Sequence, residues 1–215
     1  MSIDMEKIIE KLQGKRQIFC SEADFQLEMA WVIKEMYHDA EVRLEYVPTF
    51  NDKMHIDILV FISNKWIPIE LKYKTKNSKK GALEDKKTQE VFNLKNQGAK
   101  DIGCYLYLKD IERIERIKEA VKNNFKEGYA VFLTNDETYR NRPRKINCDY
   151  KDFSLEDERI IERGEPLKWA SAKKNKGIED PIILKGIYKM EWNEFSKVDE
   201  ERSDGTFYYL VTKII

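Results

Sequence analysis

The sequence predicts a mixed α/β protein in which helices pack on a small central sheet. Two segments with helical spacing of apolar residues lie near the N-terminus, at 3–13 and from Ser21 to about His38. Three strand-like segments follow, and a longer helical stretch at 83–123 then leads to a strand at 128–135. The order helix, three strands, helix, strand is typical of a layered α/β core.

The boundaries of the first two helices follow from their capping residues. The first helix is expected to end at Gly14. Ser21 is a good N-cap for the second helix, and Asp24 three residues later forms a capping-box-like pair with it. Apolar residues at helical spacing give the second helix one buried face. These residues are Phe25, Met29, Val32, Ile33 and Met36.

The three strand-like segments predict an antiparallel meander. They span 41–47, 55–62 and 66–73, and the short Ser63-Asn64 connection joins the last two. The outer two segments alternate apolar and polar residues, whereas 55–62 is almost wholly apolar beyond its start. The middle segment is therefore expected to be buried on both faces.

The C-terminal part of the chain has a weaker pattern. We divide the sequence into a core at 1–142 and a β-containing C-terminal extension at 143–215. The extension closes on FYYLVTKII, a strong strand signal. It is expected either to continue the core sheet or to form a small β subdomain.

Charge and composition describe an ordered chain with a surface of mixed charge. Hydrophobic residues make up 41% and aromatic residues 12% of the chain, which excludes a disordered protein. Lysine and arginine number 39, as do aspartate and glutamate, so the whole-chain charge gives no sign of nucleic-acid binding. Any nucleic-acid interface must come from basic residues gathered on one face.

Several classes of site and location are excluded or disfavoured. Cys20, Cys104 and Cys148 form neither a CxxC pair nor a zinc pattern, and reduced thiols in a cytoplasmic protein are expected. No apolar run is long enough for a membrane span, and the first residues do not form a signal peptide. His38 and His55 are too few for a histidine-rich metal site, and neither a GxSxG elbow nor a P-loop is present.

The hairpin made by the second and third strands gathers three polar side chains. If Ser63-Asn64 is its two-residue turn, Asp57 lies opposite Glu70, with Cβ atoms about 5 Å apart. Glu70 and Lys72 are two residues apart and therefore share a face. The opposite face of the third strand then carries the aliphatic side chains Ile67, Ile69 and Leu71.

Two facing carboxylates need a compensating cation, and hard oxygen ligands of this kind suit Mg²⁺ or Mn²⁺. A metal beside a lysine can cleave a phosphodiester, because the metal generates hydroxide while the lysine orients or deprotonates water. A plainer interpretation remains open: Glu70 and Lys72 are the solvent face of an amphipathic strand, and Asp57 is a surface residue. Burial of the middle strand favours a paired or metal-bound Asp57.

Asp57, followed after twelve residues by Glu70-Leu71-Lys72, resembles the defining motif of the PD-(D/E)XK nuclease superfamily. The resemblance covers about 18–135 and implies a restriction-endonuclease-like core that hydrolyses DNA with Mg²⁺ or Mn²⁺. It implies Asp57, Glu70 and the Leu71 carbonyl as metal ligands and Lys72 as the catalytic lysine. DNA is then the expected partner, and a homodimer is possible.

The second helix is expected to supply a further acidic metal ligand, again by resemblance. Glu22 lies within the apolar stripe and is the first choice, while Glu28 lies at its edge. An acidic residue that complements the helix dipole is the alternative for Glu22. The resemblance also implies that Gln97 approaches the active site from the following helix; an exposed polar residue of that helix is the alternative.

Other residues are candidates for contact with a substrate or partner. The lysines between Lys74 and Lys87 offer phosphate contacts or form a solvated loop. Tyr73 is expected either to stack on a base or to pack in the core. His55 is expected either to change the charge of the site by titrating or to be a polar residue at a strand edge. Leu27 and Trp31 form a second apolar pair on the second helix.

Two rival functions stay open. The first is a nuclease-like module that binds nucleic acid or a protein without cutting. The second is an interaction protein, of a defence or toxin-neutralising type, in which the motif is incidental. Metal binding without turnover would select the first, and failure to bind a divalent metal would favour the second.

Overall fold

The computed structural model describes residues 2–77, 81–143, 148–171 and 178–215. In these ranges the chain forms three α-helices around a central mixed sheet. The helices are α1 (Met5–Lys15), α2 (Glu22–Met36) and α3 (Lys100–Val121). The strands, in chain order, are β1 (Glu41–Tyr46), β2 (Ile56–Ile62), β3 (Lys65–Lys74), β4 (Leu83–Glu84), β5 (Val91–Phe92), β6 (Gly128–Thr134), β7 (Ile160–Ile161), β8 (Pro166–Leu167), β9 (Ile182–Ile183), β10 (Tyr188–Lys189), β11 (Trp192–Lys197) and β12 (Thr206–Ile214).

Capping decides where the first two helices begin. The Ser21 hydroxyl accepts the Asp24 N–H at 3.1 Å, so the predicted N-cap of α2 is confirmed. The predicted end of α1 at Gly14 is wrong, because the helix continues to Lys15 and the Arg16 N–H closes it on Leu12 O. A glycine inside a helix costs only about 1 kcal/mol relative to alanine, and the buried face of α1 outweighs that cost.

The large sheet has six strands in the order β1-β2-β3-β6-β12-β11. The first three strands form the predicted antiparallel meander, and β6 pairs with β3 in parallel. The remaining short strands form three two-stranded pairs, β4 with β5, β7 with β10, and β8 with β9.

The hairpin between β2 and β3 has the predicted register. Ile58 pairs with Ile69, and Val60 with Ile67. Both turn residues have positive φ, 52° at Ser63 and 61° at Asn64. Positive φ at both central residues is typical of a type I′ turn, which matches the twist of the flanking strands and fixes their register.

Helices cover both faces of the sheet. On one face, α1 and α2 pack on aliphatic side chains that include Ile58, Ile69 and Leu71. On the other face, α3 packs on residues of β6 and β12, among them Phe132 and Leu210. Glu70 and Lys72 alternate with Ile69 and Leu71 along β3 and therefore face α3.

The predicted helix at 83–123 is wrong for its first part. Residues between β3 and α3 form the short β4–β5 hairpin instead, and α3 begins only at Lys100. The buried carboxylate of Asp85 holds this hairpin, because it accepts the N–H groups of Gln17 and Ile18 as well as those of Lys87 and Thr88. These tertiary hydrogen bonds override the weak helical propensity of the segment.

The C-terminal segment continues the central sheet. β12 pairs antiparallel with β6, and β11 pairs with β12 at the edge. Of the two predicted arrangements, extension of the sheet is therefore the one found for β11 and β12. Among the described helices, none combines the length and apolar character needed to cross a membrane.

Candidate functional site

The candidate site lies where β2 leaves the edge of β3. The β2–β3 ladder ends at the pair Ile58–Ile69, and the same register places Asp57 opposite Glu70. Beyond this point β2 no longer accepts the N–H groups of β3. Side chains take its place, and the Asp57 carboxylate accepts the Leu71 N–H at 2.6 Å.

Three side chains from three different segments cover this open edge. They accept the backbone N–H groups of every second residue at the end of β3 and just beyond it. In an extended strand, the N–H groups of alternate residues point in the same direction. The pairs are Leu71 with Asp57 at 2.6 Å, Tyr73 with Glu22 at 2.7 Å, and Thr75 with Gln97 at 2.9 Å. The structure therefore places the carboxylates of Asp57 and Glu22 along one strand edge, on the N–H groups of Leu71 and Tyr73.

Glu70 lies in the interior between β3 and α3. It is 1% exposed, and its Oε2 accepts a hydrogen bond from Arg113 Nη1 at 2.7 Å. Its Oε1 is buried and has no hydrogen-bond partner among the residues that the structure describes. Burial, followed by the charge of Asp110, raises the pKa of Glu70 well above its usual range.

Lys72 folds back over the peptide that precedes it. Its Nζ donates to Leu71 O at 3.0 Å and lies 2.7 Å from Asp110 Oδ2. Although burial lowers the pKa of Lys72, the charge and hydrogen bond of Asp110 raise it above its ordinary value. The ammonium is therefore charged and sits among oxygen atoms, beside the carbonyl expected to bind metal.

Asp110 and Arg113 on α3 complete the cluster, and the sequence analysis missed both. Asp110 is 2% exposed, and its Oδ1 lies 3.3 Å from Arg113 Nη1. A signal was present, because Asp110 falls among the buried residues Tyr107, Ile111 and Ile114 at helical spacing. An acid in an apolar stripe needs a partner, by the reasoning already applied to Asp57.

The cluster contains more carboxyl groups than basic side chains. Asp57, Glu70 and Asp110 face two cations, Lys72 and Arg113. Burial raises the pKa of Asp57 to about 6, against the lowering effect of the Leu71 N–H and of Lys72. A further cation among these carboxylates would offset their mutual repulsion.

Gln26, also missed by the sequence analysis, supports Asp57 from α2. One turn after Glu22, its Nε2 donates to Asp57 O and to Glu45 Oε1, each at 2.7 Å. Glu45 has a φ of 50° and is skipped in the pairing of β1 with β2. The register of β1 with β2 is the same before and after Glu45, so only the backbone at this residue departs from the strand, where its carboxylate accepts the Gln26 amide.

Other predicted residues lie elsewhere. Glu28 pairs with Lys15 at 3.3 Å, which favours Glu22 over Glu28 as the acidic residue of α2 on the edge of β3. Gln97 is in a loop rather than on a helix, and its backbone N–H also bonds Thr75 O. Tyr73 packs in the core, with its hydroxyl donating to Phe19 O.

The predicted surface residues are largely exposed. Lys86 and Lys87 are on the β4–β5 hairpin, whereas Lys79 and Lys80 lie outside the described residues. His55 is exposed just before β2. Leu27 and Trp31 are exposed together on the outer face of α2.

The oxygen atoms around the Leu71 peptide are of the type that hard divalent cations bind. Asp57, Glu70 and Leu71 O supply oxygen atoms, and the unpartnered Glu70 Oε1 is a buried acceptor that a cation would satisfy. Within the described ranges, no cluster of three or more His, Cys, Asp and Glu side chains has metal-site spacing. The acidic side chains expected to bind metal, Asp57, Glu70 and Glu22, therefore do not form such a cluster as they stand.

Comparisons with protein-family models, with curated proteins and with solved structures gave no significant match. The likeness to PD-(D/E)XK nucleases therefore remains a hypothesis that depends on the hairpin and the side chains around it.

Proposed function

We propose that this protein has a restriction-endonuclease-like core and hydrolyses phosphodiester bonds of DNA with Mg²⁺ or Mn²⁺. One observation carries the proposal: Asp57, Glu70 and Lys72 meet around the Leu71 peptide, and Glu70 Oε1 is buried there with no partner among the described residues. The sheet topology is compatible with such a core, because three antiparallel strands are followed by α3 and a parallel β6.

Asp57, Glu70 and the Leu71 carbonyl would hold the metal, with Glu22 at the rim. Leu71 matters for two reasons, because its N–H fixes the Asp57 carboxylate while its C=O points to the same strand edge. A metal bound there would polarise the phosphate and lower the pKa of a bound water. The protein's part is to fix the oxygen ligands before the metal arrives.

Lys72 orients the attacking water and offsets developing negative charge. Its ammonium already touches Leu71 O, next to the expected metal ligands. Asp110 Oδ2 lies 2.7 Å from the ammonium and keeps it protonated. In this arrangement Lys72 acts as a hydrogen-bond donor and a positive charge, rather than as a neutral base.

DNA is proposed as the substrate from the family resemblance, with local basic charge as support. Lys74 and Lys76 follow Lys72 at the end of β3, and Lys86 and Lys87 lie on the following hairpin. Lysines spaced along one side of a site contact phosphates without reading sequence. Lys74 and Lys76 offer this local positive charge beside Lys72. Lys86 and Lys87 instead lie next to the end of α1, where Lys87 Nζ donates to Gly14 O.

The test is Mg²⁺ and Mn²⁺ binding by calorimetry, followed by hydrolysis of supercoiled plasmid DNA. Asp57→Asn and Glu70→Gln are expected to lose the binding isotherm and the nuclease activity while the fold remains intact. Glu41→Gln, an exposed carboxylate change on β1, is the matched control and is expected to behave as the wild type. A wild type that binds neither metal, even with DNA oligonucleotides present, contradicts the proposal.

A nuclease-like module that binds nucleic acid or a protein partner without cutting is the second candidate. It is favoured by the ion pairs inside the cluster, because Arg113 already neutralises Glu70 and Lys72 already neutralises Asp110. Metal and DNA binding without hydrolysis of single-stranded or duplex DNA would select this candidate.

A further inference from the structure

Arg113 has one side against the buried carboxylates and another toward solvent. It lies one turn after Asp110 on α3, and its Nη1 is 2.7 Å from Glu70 Oε2 and 3.3 Å from Asp110 Oδ1. The side chain is nevertheless 32% exposed. The guanidinium is thus anchored through a single nitrogen.

The remaining donors of Arg113 are available. Its Nε and Nη2 have no hydrogen-bond or ion-pair partner among the described residues. A guanidinium presents its N–H groups in a planar fork that matches two oxygen atoms of a phosphate. Anchoring of one nitrogen orients this fork before any ligand arrives, which reduces the entropy lost on binding.

We propose that Arg113 binds the phosphodiester group of the substrate and stabilises its charge during hydrolysis, an inference that rests on the proposed function of the site. Glu70 connects the Arg113 guanidinium to the proposed metal. Its Oε2 anchors Arg113, and its Oε1 has no partner among the described residues and would bind the metal. A phosphate held beside Glu70 therefore meets the free edge of the guanidinium. Charge-assisted hydrogen bonds from a fixed donor strengthen as negative charge develops on the phosphate.

Two substitutions separate this role from simple neutralisation of Glu70. Arg113→Lys keeps a positive charge near the carboxylates but lacks the fork, and Arg113→Gln keeps a donor but removes the charge. Arg116→Lys is the matched control, because Arg116 lies on the same helix, is 57% exposed and pairs with Glu112 at 2.9 Å. Thermal unfolding of each variant verifies that the fold is retained.

The experiment measures hydrolysis and binding separately. Hydrolysis of thymidine 5′-(p-nitrophenyl phosphate) is followed in Mn²⁺, and anisotropy of a short fluorescein-labelled DNA duplex is followed in Ca²⁺. Removal of one preorganised donor typically lowers kcat about 100-fold, so we expect a loss of this order in kcat/KM for Arg113→Lys. Duplex binding is expected to weaken about tenfold with loss of one charge-assisted fork. Mg²⁺ affinity and the Arg116→Lys variant should remain near wild-type values.

The possible outcomes distinguish this inference from the proposed function. If Arg113→Lys hydrolyses and binds DNA as well as the wild type does, the proposed role of Arg113 is overturned and the proposed function is not. A wild type that binds the duplex without hydrolysing either substrate overturns the proposed function, and weaker binding by Arg113→Lys then still supports the phosphate contact. A wild type that neither binds nor hydrolyses DNA overturns both.

Discussion

Replacement of Asp57 by asparagine is expected to stabilise the metal-free protein while it removes metal binding. The amide is nearly the same size as the carboxylate, and its oxygen can still accept the Leu71 N–H. What changes is the charge, which burial disfavours at this position. The site thus keeps a carboxylate that the fold alone would not favour.

The size of the effect follows from the pKa of Asp57. Burial raises the pKa from 3.8 to about 6, and two pKa units correspond to about 3 kcal/mol. Because the folded-state pKa is above the unfolded one, the folded state binds a proton more tightly. The free energy of unfolding therefore falls as pH rises from about 4 to about 6 and stays lower above that range. The gain expected for Asp57→Asn at neutral pH is therefore about 1–3 kcal/mol.

The assay is urea unfolding in EDTA at several pH values from 4 to 7.5. The difference between Asp57→Asn and the wild type should be near zero at pH 4 and reach its full size above pH 6. Addition of Mg²⁺ should stabilise the wild type only, since a ligand of the folded state raises its stability by mass action. A variant that is less stable than the wild type at neutral pH, or a difference that does not vary with pH, would refute the reasoning.

Three further outcomes are expected. Asp110→Asn should lower the free energy of unfolding by about 3 kcal/mol, because it leaves the charge of Lys72 without its buried partner. Chemical denaturation measures this difference, and an unchanged free energy of unfolding would contradict a stabilising ion pair. Glu22→Gln should weaken Mg²⁺ binding in calorimetry less than Glu70→Gln does, since Glu22 is at the exposed rim; an equal loss would place Glu22 among the principal ligands. Cys104 is buried and its pKa is raised to about 12, so a thiol reagent at pH 8 should label exposed Cys20 first and Cys104 only in denaturant, as followed by mass spectrometry.

The sequence was sufficient for the elements whose signals are local. The Ser21 cap and the type I′ turn at Ser63-Asn64 each depend on a few neighbouring residues. Because side chains alternate along a strand, the hairpin register then determined that Asp57, Glu70 and Lys72 share a face. The central part of the candidate site was therefore predictable without tertiary information.

Only the tertiary structure decided which partners surround those residues. Asp110 and Arg113 reach Glu70 and Lys72 from a helix about 40 positions further along the chain, and no local rule fixes how that helix docks. The β4–β5 hairpin replaced a predicted helix because the Asp85 carboxylate bonds it to residues near α1. Hydrogen bonds and ion pairs of this kind depend on distances between segments that are remote in sequence, and the folded chain alone sets those distances.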